Sequence, residues 1–146
     1  MSENAAFYIS DPSMLGSKFF DKFESITSYE GLPDDNDSAT GFILKTTWGQ
    51  IKINLMPSVE LEQHLNGFEG YIRSQLDDED ELIYVLARLH YVLLCLGCEI
   101  TYDQEKEEEV HDFLFNFNNA LNGLLFLYDT VWDWSGEPLC GPHKNG

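Results

Sequence analysis

Positive charge is what this chain has least of. Eight Lys and Arg stand against 26 Asp and Glu in 146 residues, a formal net charge of -18 with a pI near 4.2. A surface of that sign repels phosphate backbones and anionic lipid, so nucleic-acid binding and membrane-surface docking are excluded as first readings. Cysteine is scarce as well. Cys95, Cys98 and Cys140 are odd in number and do not describe a secreted disulfide scaffold. The longest apolar runs, such as Tyr91 to Leu96, fall far below the roughly 20 residues of a membrane-spanning helix. Met1-Ser2-Glu3-Asn4 has neither the positive start nor the apolar core of a signal peptide. These absences lead to the expectation of a cytoplasmic protein.

Apolar material is plentiful. Hydrophobic residues make up 43% and aromatics 14%, enough for one core. A chain of this length buries about 70% of its unfolded surface, so a single domain over residues 1–146 is expected, with a frayed tail at 141–146. Ala6 to Ile9 reads as a first strand, closed by the helix-entry signal Ser10-Asp11-Pro12. Met14, Leu15, Phe19, Phe20 and Phe23 recur at helical spacing and predict a helix over 13–26. An acidic loop, Pro33-Asp34-Asp35-Asn36-Asp37, follows. Ile51, Ile53 and Leu55 alternate with Lys52 and Asn54, which makes 51–55 a half-buried strand and 42–55 a hairpin around Trp48-Gly49-Gln50.

The next helix opens at Pro57-Ser58 with Ser58 as N-cap, and buries Leu61, Leu65, Phe68, Ile72 and Leu76. Gly67 and Gly70 weaken it and mark where a kink would fall. A further helix runs from Leu82 to about Tyr91, and the continuous apolar run Val92 to Ile100 predicts a central strand. Val110, Phe113, Leu114, Phe117, Ala120 and Leu121 form one stripe of a helix that ends in the C-cap pair Asn122-Gly123. A strand at 124–128 and a hairpin around Ser135-Gly136 complete the order. The two halves share a loose order of elements without a residue-level repeat. The expected fold is α+β: a mixed, mainly antiparallel sheet of five to six strands packed with about four helices.

No catalytic constellation stands out. The chain has no phosphate-binding Gly-rich loop, no Gly-x-Ser-x-Gly elbow and no His-Glu-x-x-His helix. His64, His90 and His111 read as solvated or structural. The acidic runs at 34–37 and 77–81 do not follow the EF-hand template. Cys95-x-x-Cys98 with Cys140-x-x-His143 has the ligand types of a zinc site. Strand alternation, however, places Cys95 and Cys98 on opposite faces, and apolar surroundings beside Glu99 raise thiol pKa values. No cofactor is therefore expected.

Charge asymmetry carries more information. From Ser74 to His143, 15 acidic residues face two basic ones, Arg88 and Lys106. Solubility or a saline habitat would account for this, and so would a partner with a basic surface, because acidic arrays steer association with basic proteins. Asp77, Asp78, Glu79, Asp80, Glu107, Glu108 and Glu109 are the candidate steering residues. Trp132 and Trp134 share a face if 131–134 is a strand, and would then be apolar anchors.

Leu96-Gly97-Cys98-Glu99-Ile100, Val110 to Phe126 and Asp133-Trp134-Ser135-Gly136-Glu137-Pro138-Leu139 together form a pattern over the last third of the chain. It resembles small uncharacterised bacterial α+β proteins in which a helix ending Leu-Asn-Gly leads into a strand and an Asp-x-x-Gly hairpin. Some proteins of that kind are cytoplasmic immunity proteins of polymorphic or secreted toxins, and the resemblance carries no defined functional residues. With the charge, it leads to the expectation of a non-enzymatic inhibitor that occludes a basic cleft of a partner, and the charge speaks against nucleic acid and membrane as partners. The alternatives are a small metal-binding protein or enzyme built on Cys95, Cys98, Cys140 and His143, and an adaptor that buries the Trp pair or a sheet edge in a homodimer.

Overall fold

A computed structural model describes residues 1–15, 18–33 and 39–145. The strands are β1 (Ser2–Ile9), β2 (Ile26–Pro33), β3 (Ala39–Thr46), β4 (Gly49–Leu55), β5 (Leu94–Tyr102), β6 (Leu124–Leu127), β7 (Thr130–Trp132) and β8 (Pro138–Cys140). The α-helices are α1 (Ser58–Gln75), α2 (Glu79–His90), α3 (Glu107–Leu121) and the single turn α4 (Pro142–Asn145). All eight strands join one sheet in the order β2-β3-β4-β5-β1-β6-β7-β8, and each neighbouring pair is antiparallel. The fold is thus α+β with four helices, but the sheet exceeds the expected five to six strands and is not mixed. The excess comes from β2, and from β7 and β8 continuing the main sheet. Among the described residues no helix is long and apolar enough to cross a membrane.

Alternation along the central strands divides the interior in two. Phe7 and Ile9 of β1, Ile51 and Ile53 of β4, and Leu96, Cys98 and Ile100 of β5 point to one face, where Val110, Phe113, Leu114, Phe117 and Leu121 of α3 cover them. Tyr8 and Cys95 point to the other face and meet Phe68 and Ile72 of α1 and Val85 and Leu89 of α2. The expected separation of Cys95 from Cys98 is therefore observed.

Among the described residues of 13–26 the expected helix does not form. Asp11 accepts a hydrogen bond from the Ser13 amide at the start of a 3-10 turn at Pro12–Met14, and a second 3-10 turn covers Phe19–Lys22. From Ile26 the chain is extended, with Ser28 to Gly31 paired to Phe42 to Lys45. Two short turns bring Phe19 and Phe20 into the core, while Ile26, Thr27 and Tyr29 are β-branched or aromatic and suit a pleated edge. The acidic run Asp34 to Asp37 lies outside the described residues. Helix α1 passes through Gly67 and Gly70 as one element, and Pro57 rather than Ser58 occupies its cap position. Asp78 caps α2 by accepting from the Glu81 amide at 2.9 Å.

Backbone geometry fixes the C-terminal turns. Asn122 adopts φ 50° as the left-handed cap of α3, as Asn-Gly suggests. Tyr128 and Asp129 are both left-handed, at φ 55° and 58°, and close the β6–β7 hairpin with the right twist for its strands. Residues 142–145 are wound into α4, whose Lys144 Nζ lies 2.6 Å from Glu81 Oε2. Gly141 leads into it at φ 114°, where an added Cβ would stand 2.4 Å from the Asp129 carbonyl oxygen. Gly141→Ala is expected to lower stability by about 1–3 kcal/mol through that strain and clash. Urea unfolding of the variant checks this; an unchanged midpoint would mean that α4 relaxes freely.

Candidate functional site

The two carboxylate arrays end up on opposite sides of the sheet. Asp77, Asp78, Glu79 and Asp80 are exposed at the α1–α2 junction and the first turn of α2. Glu107, Glu108 and Glu109 form the first turn of α3 on the other face. Each array sits at the positive end of a helix dipole, which stabilises carboxylates there. Among the described residues the ion pairs within 4 Å are Arg73–Glu69, Lys106–Glu109, His111–Glu107 and Lys144–Glu81. Asp77 to Asp80 and Glu108 thus face solvent with no cation beside them.

The two tryptophans do not share a face. β7 stops at Trp132, whose ring packs edge-on against Phe115 at 5.1 Å and whose Nε1 donates to the Leu127 carbonyl at 3.1 Å. Asp133 then turns the chain. Its Oδ1 accepts from the Ser135 amide, the Ser135 hydroxyl and the Glu137 amide at 2.8, 2.6 and 3.0 Å. Asn118 and Asn119 of α3 donate to the carbonyls of Asp133 and Trp134, both at 3.0 Å. Trp132 is thereby tied into the sheet, while Trp134 is presented to solvent on a braced turn, 44% exposed.

The cysteines and His143 do not converge. Cys95 and Cys140 lie in the core under α1 and α2, Cys98 lies in the core under α3, and the His143 ring packs on Trp132 and Tyr128. Burial pushes all three thiols up, Cys95 to about 11, which disfavours the nucleophilic thiolate. The Tyr8 hydroxyl lies 2.8 Å from His64 Nε2, and burial, with Cys95 nearby, holds the phenol well above its usual range. Tyr8 and His64 line a cleft of about 330 Å³ between α1 and β6, with Phe68, Tyr71 and Phe126. No local pattern signals this contact, since Tyr8 and His64 stand 56 residues apart.

A second hollow was equally hidden. Beside α3, Glu24, Glu109 and Asp112 stand around an aromatic floor of Phe23, Trp48 and Phe113, enclosing about 500 Å³. Trp48 is 3% exposed, and its buried Nε1 has no hydrogen-bond partner among the described residues. Lys22 is the cation on the lining. The hollow offers carboxylates to a cationic side chain and rings beneath it for cation–π contact. Only the α3 half of this set, Glu109 and Asp112 at i, i+3, was visible as a local pattern. Comparison with protein-family models, with curated proteins and with solved structures finds no match.

Proposed function

We propose that this chain is a non-enzymatic acidic binding module, an immunity- or antitoxin-like inhibitor in a bacterial cytoplasm, that covers a basic cleft of a partner protein with its α3 side. The hollow at Glu24, Glu109 and Asp112 carries this reading. A partner Lys or Arg entering it meets three carboxylates over Phe23 and Trp48. Glu107 and Glu108 extend the same negative surface along the helix start, and Trp134 lies beyond the other end of α3 as an apolar contact. Asp77 to Asp80, across the sheet, add to the long-range field and need not touch the same cleft. Trp132 is left out of the interface because it braces the sheet. The same charge disfavours nucleic acid and anionic membranes as partners.

The test is capture on the immobilised chain from the source organism's lysate, followed by association kinetics with the purified partner. A basic partner is expected whose on-rate falls steeply with added salt, as screening shortens the reach of the field. Glu24→Gln/Glu109→Gln/Asp112→Asn is expected to weaken affinity at least tenfold. Asp77→Asn/Glu79→Gln/Asp80→Asn should mainly slow association. An on-rate indifferent to ionic strength, or affinity untouched by the hollow variant, defeats the reading; self-association as the only product favours the homodimer alternative.

A further inference from the structure

A separate cluster lies where β1 passes under the start of α3. Glu3 points to the α3 face, and its Oε1 accepts hydrogen bonds from the Tyr102 and Tyr128 hydroxyls, both at 2.7 Å. The second oxygen, Oε2, is buried and has no hydrogen-bond partner among the described residues. One turn of α3 brings Glu107 and His111 opposite it, with His111 Nε2 3.9 Å from Glu107 Oε1 and hydrogen-bonded to the Tyr128 hydroxyl. Ligand atoms of Glu3, Glu107 and His111 all lie within 4.8 Å of one another. The nearby Lys106 ammonium sits on Glu109 at 3.5 Å, so these carboxylates gather around an imidazole with no Lys or Arg pair among the described residues.

We propose that Glu3, Glu107 and His111 bind a divalent ion of the zinc type. Bonds of about 2.0–2.2 Å to one imidazole nitrogen and two carboxylate oxygens set those atoms about 3–4 Å apart, a small contraction from the spacing seen. The imidazole selects zinc-like ions over calcium or magnesium, which prefer all-oxygen shells. Tyr102 acts as a positioning residue: by donating to Oε1 it orients the carboxylate and leaves Oε2 for the ion, while the Tyr128 hydroxyl, held on Oε1, gives up its contact with His111 Nε2 when the ion binds. Glu107 and His111 are partly exposed, with side-chain accessibilities of 46% and 29%, which gives the ion a route in and leaves a position for water or a further ligand. A bound ion would clamp β1 to α3. The inference is independent of any partner and of the buried cysteines.

The experiment uses the full chain without a histidine tag, stripped with chelator, and titrated with Zn²⁺ by calorimetry and with Co²⁺ by visible absorption. One equivalent per chain is expected, with a ligand-field spectrum for cobalt that zinc displaces. At zinc concentrations about 100-fold above Kd, the thermal midpoint should rise by about 5–10 °C. His111→Ala and Glu107→Gln, both on the accessible side of α3, should each lower affinity at least tenfold. Tyr102→Phe should lower it about tenfold while leaving all three ligands in place. Replacing Cys95, Cys98 and Cys140 with Ser should leave the stoichiometry unchanged. Absence of saturable binding, or binding that survives both His111→Ala and Glu107→Gln in folded protein, overturns the proposal.

Discussion

Phe117→Ala is expected to destabilise the protein by about 3–5 kcal/mol, a large share of the roughly 5–15 kcal/mol available to a domain. Phe117 is 1% exposed on the buried stripe of α3. Its ring centroid lies 5.1 Å from Phe7, 5.3 Å from Phe19, 5.2 Å from Phe23 and 5.5 Å from Phe113. Those rings come from β1, from the segment between β1 and β2, and from α3 itself. Truncation removes both the transfer free energy of the side chain and the tilted ring contacts, and rigid neighbours on the sheet limit collapse into the void. Urea unfolding followed by far-UV circular dichroism gives the difference directly, and Phe117→Leu should recover more than half of it. A loss below about 1 kcal/mol would mean that the aromatic cluster repacks around the gap.

Asp133→Ala should cost about 2–4 kcal/mol at neutral pH, because one charged acceptor holds three donors of the turn. Burial alone would push the Asp133 carboxyl up. The bonds from Ser135 and Glu137, with the charge of Arg88, outweigh it and hold the group below its ordinary value of 3.8. A carboxyl lowered in the folded state contributes stability that is fully present above its unfolded pKa and is lost as pH falls through the folded one. Asp133→Asn keeps an acceptor oxygen and loses the charge, so its deficit against the native chain should be largest at neutral pH and shrink below about pH 4. Unfolding midpoints of the two proteins across acid pH measure that difference; a deficit independent of pH would assign the effect to geometry alone. The same variants should loosen Trp134, visible as a change in tryptophan fluorescence.

Elements whose burial pattern is local were legible in the sequence. Ile51, Ile53 and Leu55 against Lys52 and Asn54 spelled out β4, and the Val110 to Leu121 stripe spelled out α3. Asn122-Gly123 named its own cap because a left-handed residue is needed there. Strand parity alone separated Cys95 from Cys98. Residues 19–29 misled, since Phe19, Phe20 and Phe23 have helical spacing but reach the core from a 3-10 turn and the residue after it, and β2 pairs with β3, a partner further along the chain. The candidate hollow was illegible for the same reason. Glu24 precedes β2, Trp48 lies in the β3–β4 turn and Asp112 is on α3, so nothing local links them. Trp132 and Trp134 looked alike in sequence until Asp133 ended the strand between them.

The central place of β1 has a consequence for how the chain is made. Ser2 of β1 pairs with Thr101 of β5, and Tyr8 pairs with Leu124 of β6. At about 5–20 residues per second, β1 leaves the ribosome some 5–20 s before either flanking strand exists. The β2–β3–β4 meander can zip in that interval from neighbouring segments, whereas Phe7 and Ile9 must wait with their apolar faces uncovered. Completion of the sheet is therefore a late, long-range insertion of the first-made strand, the slow class of folding event.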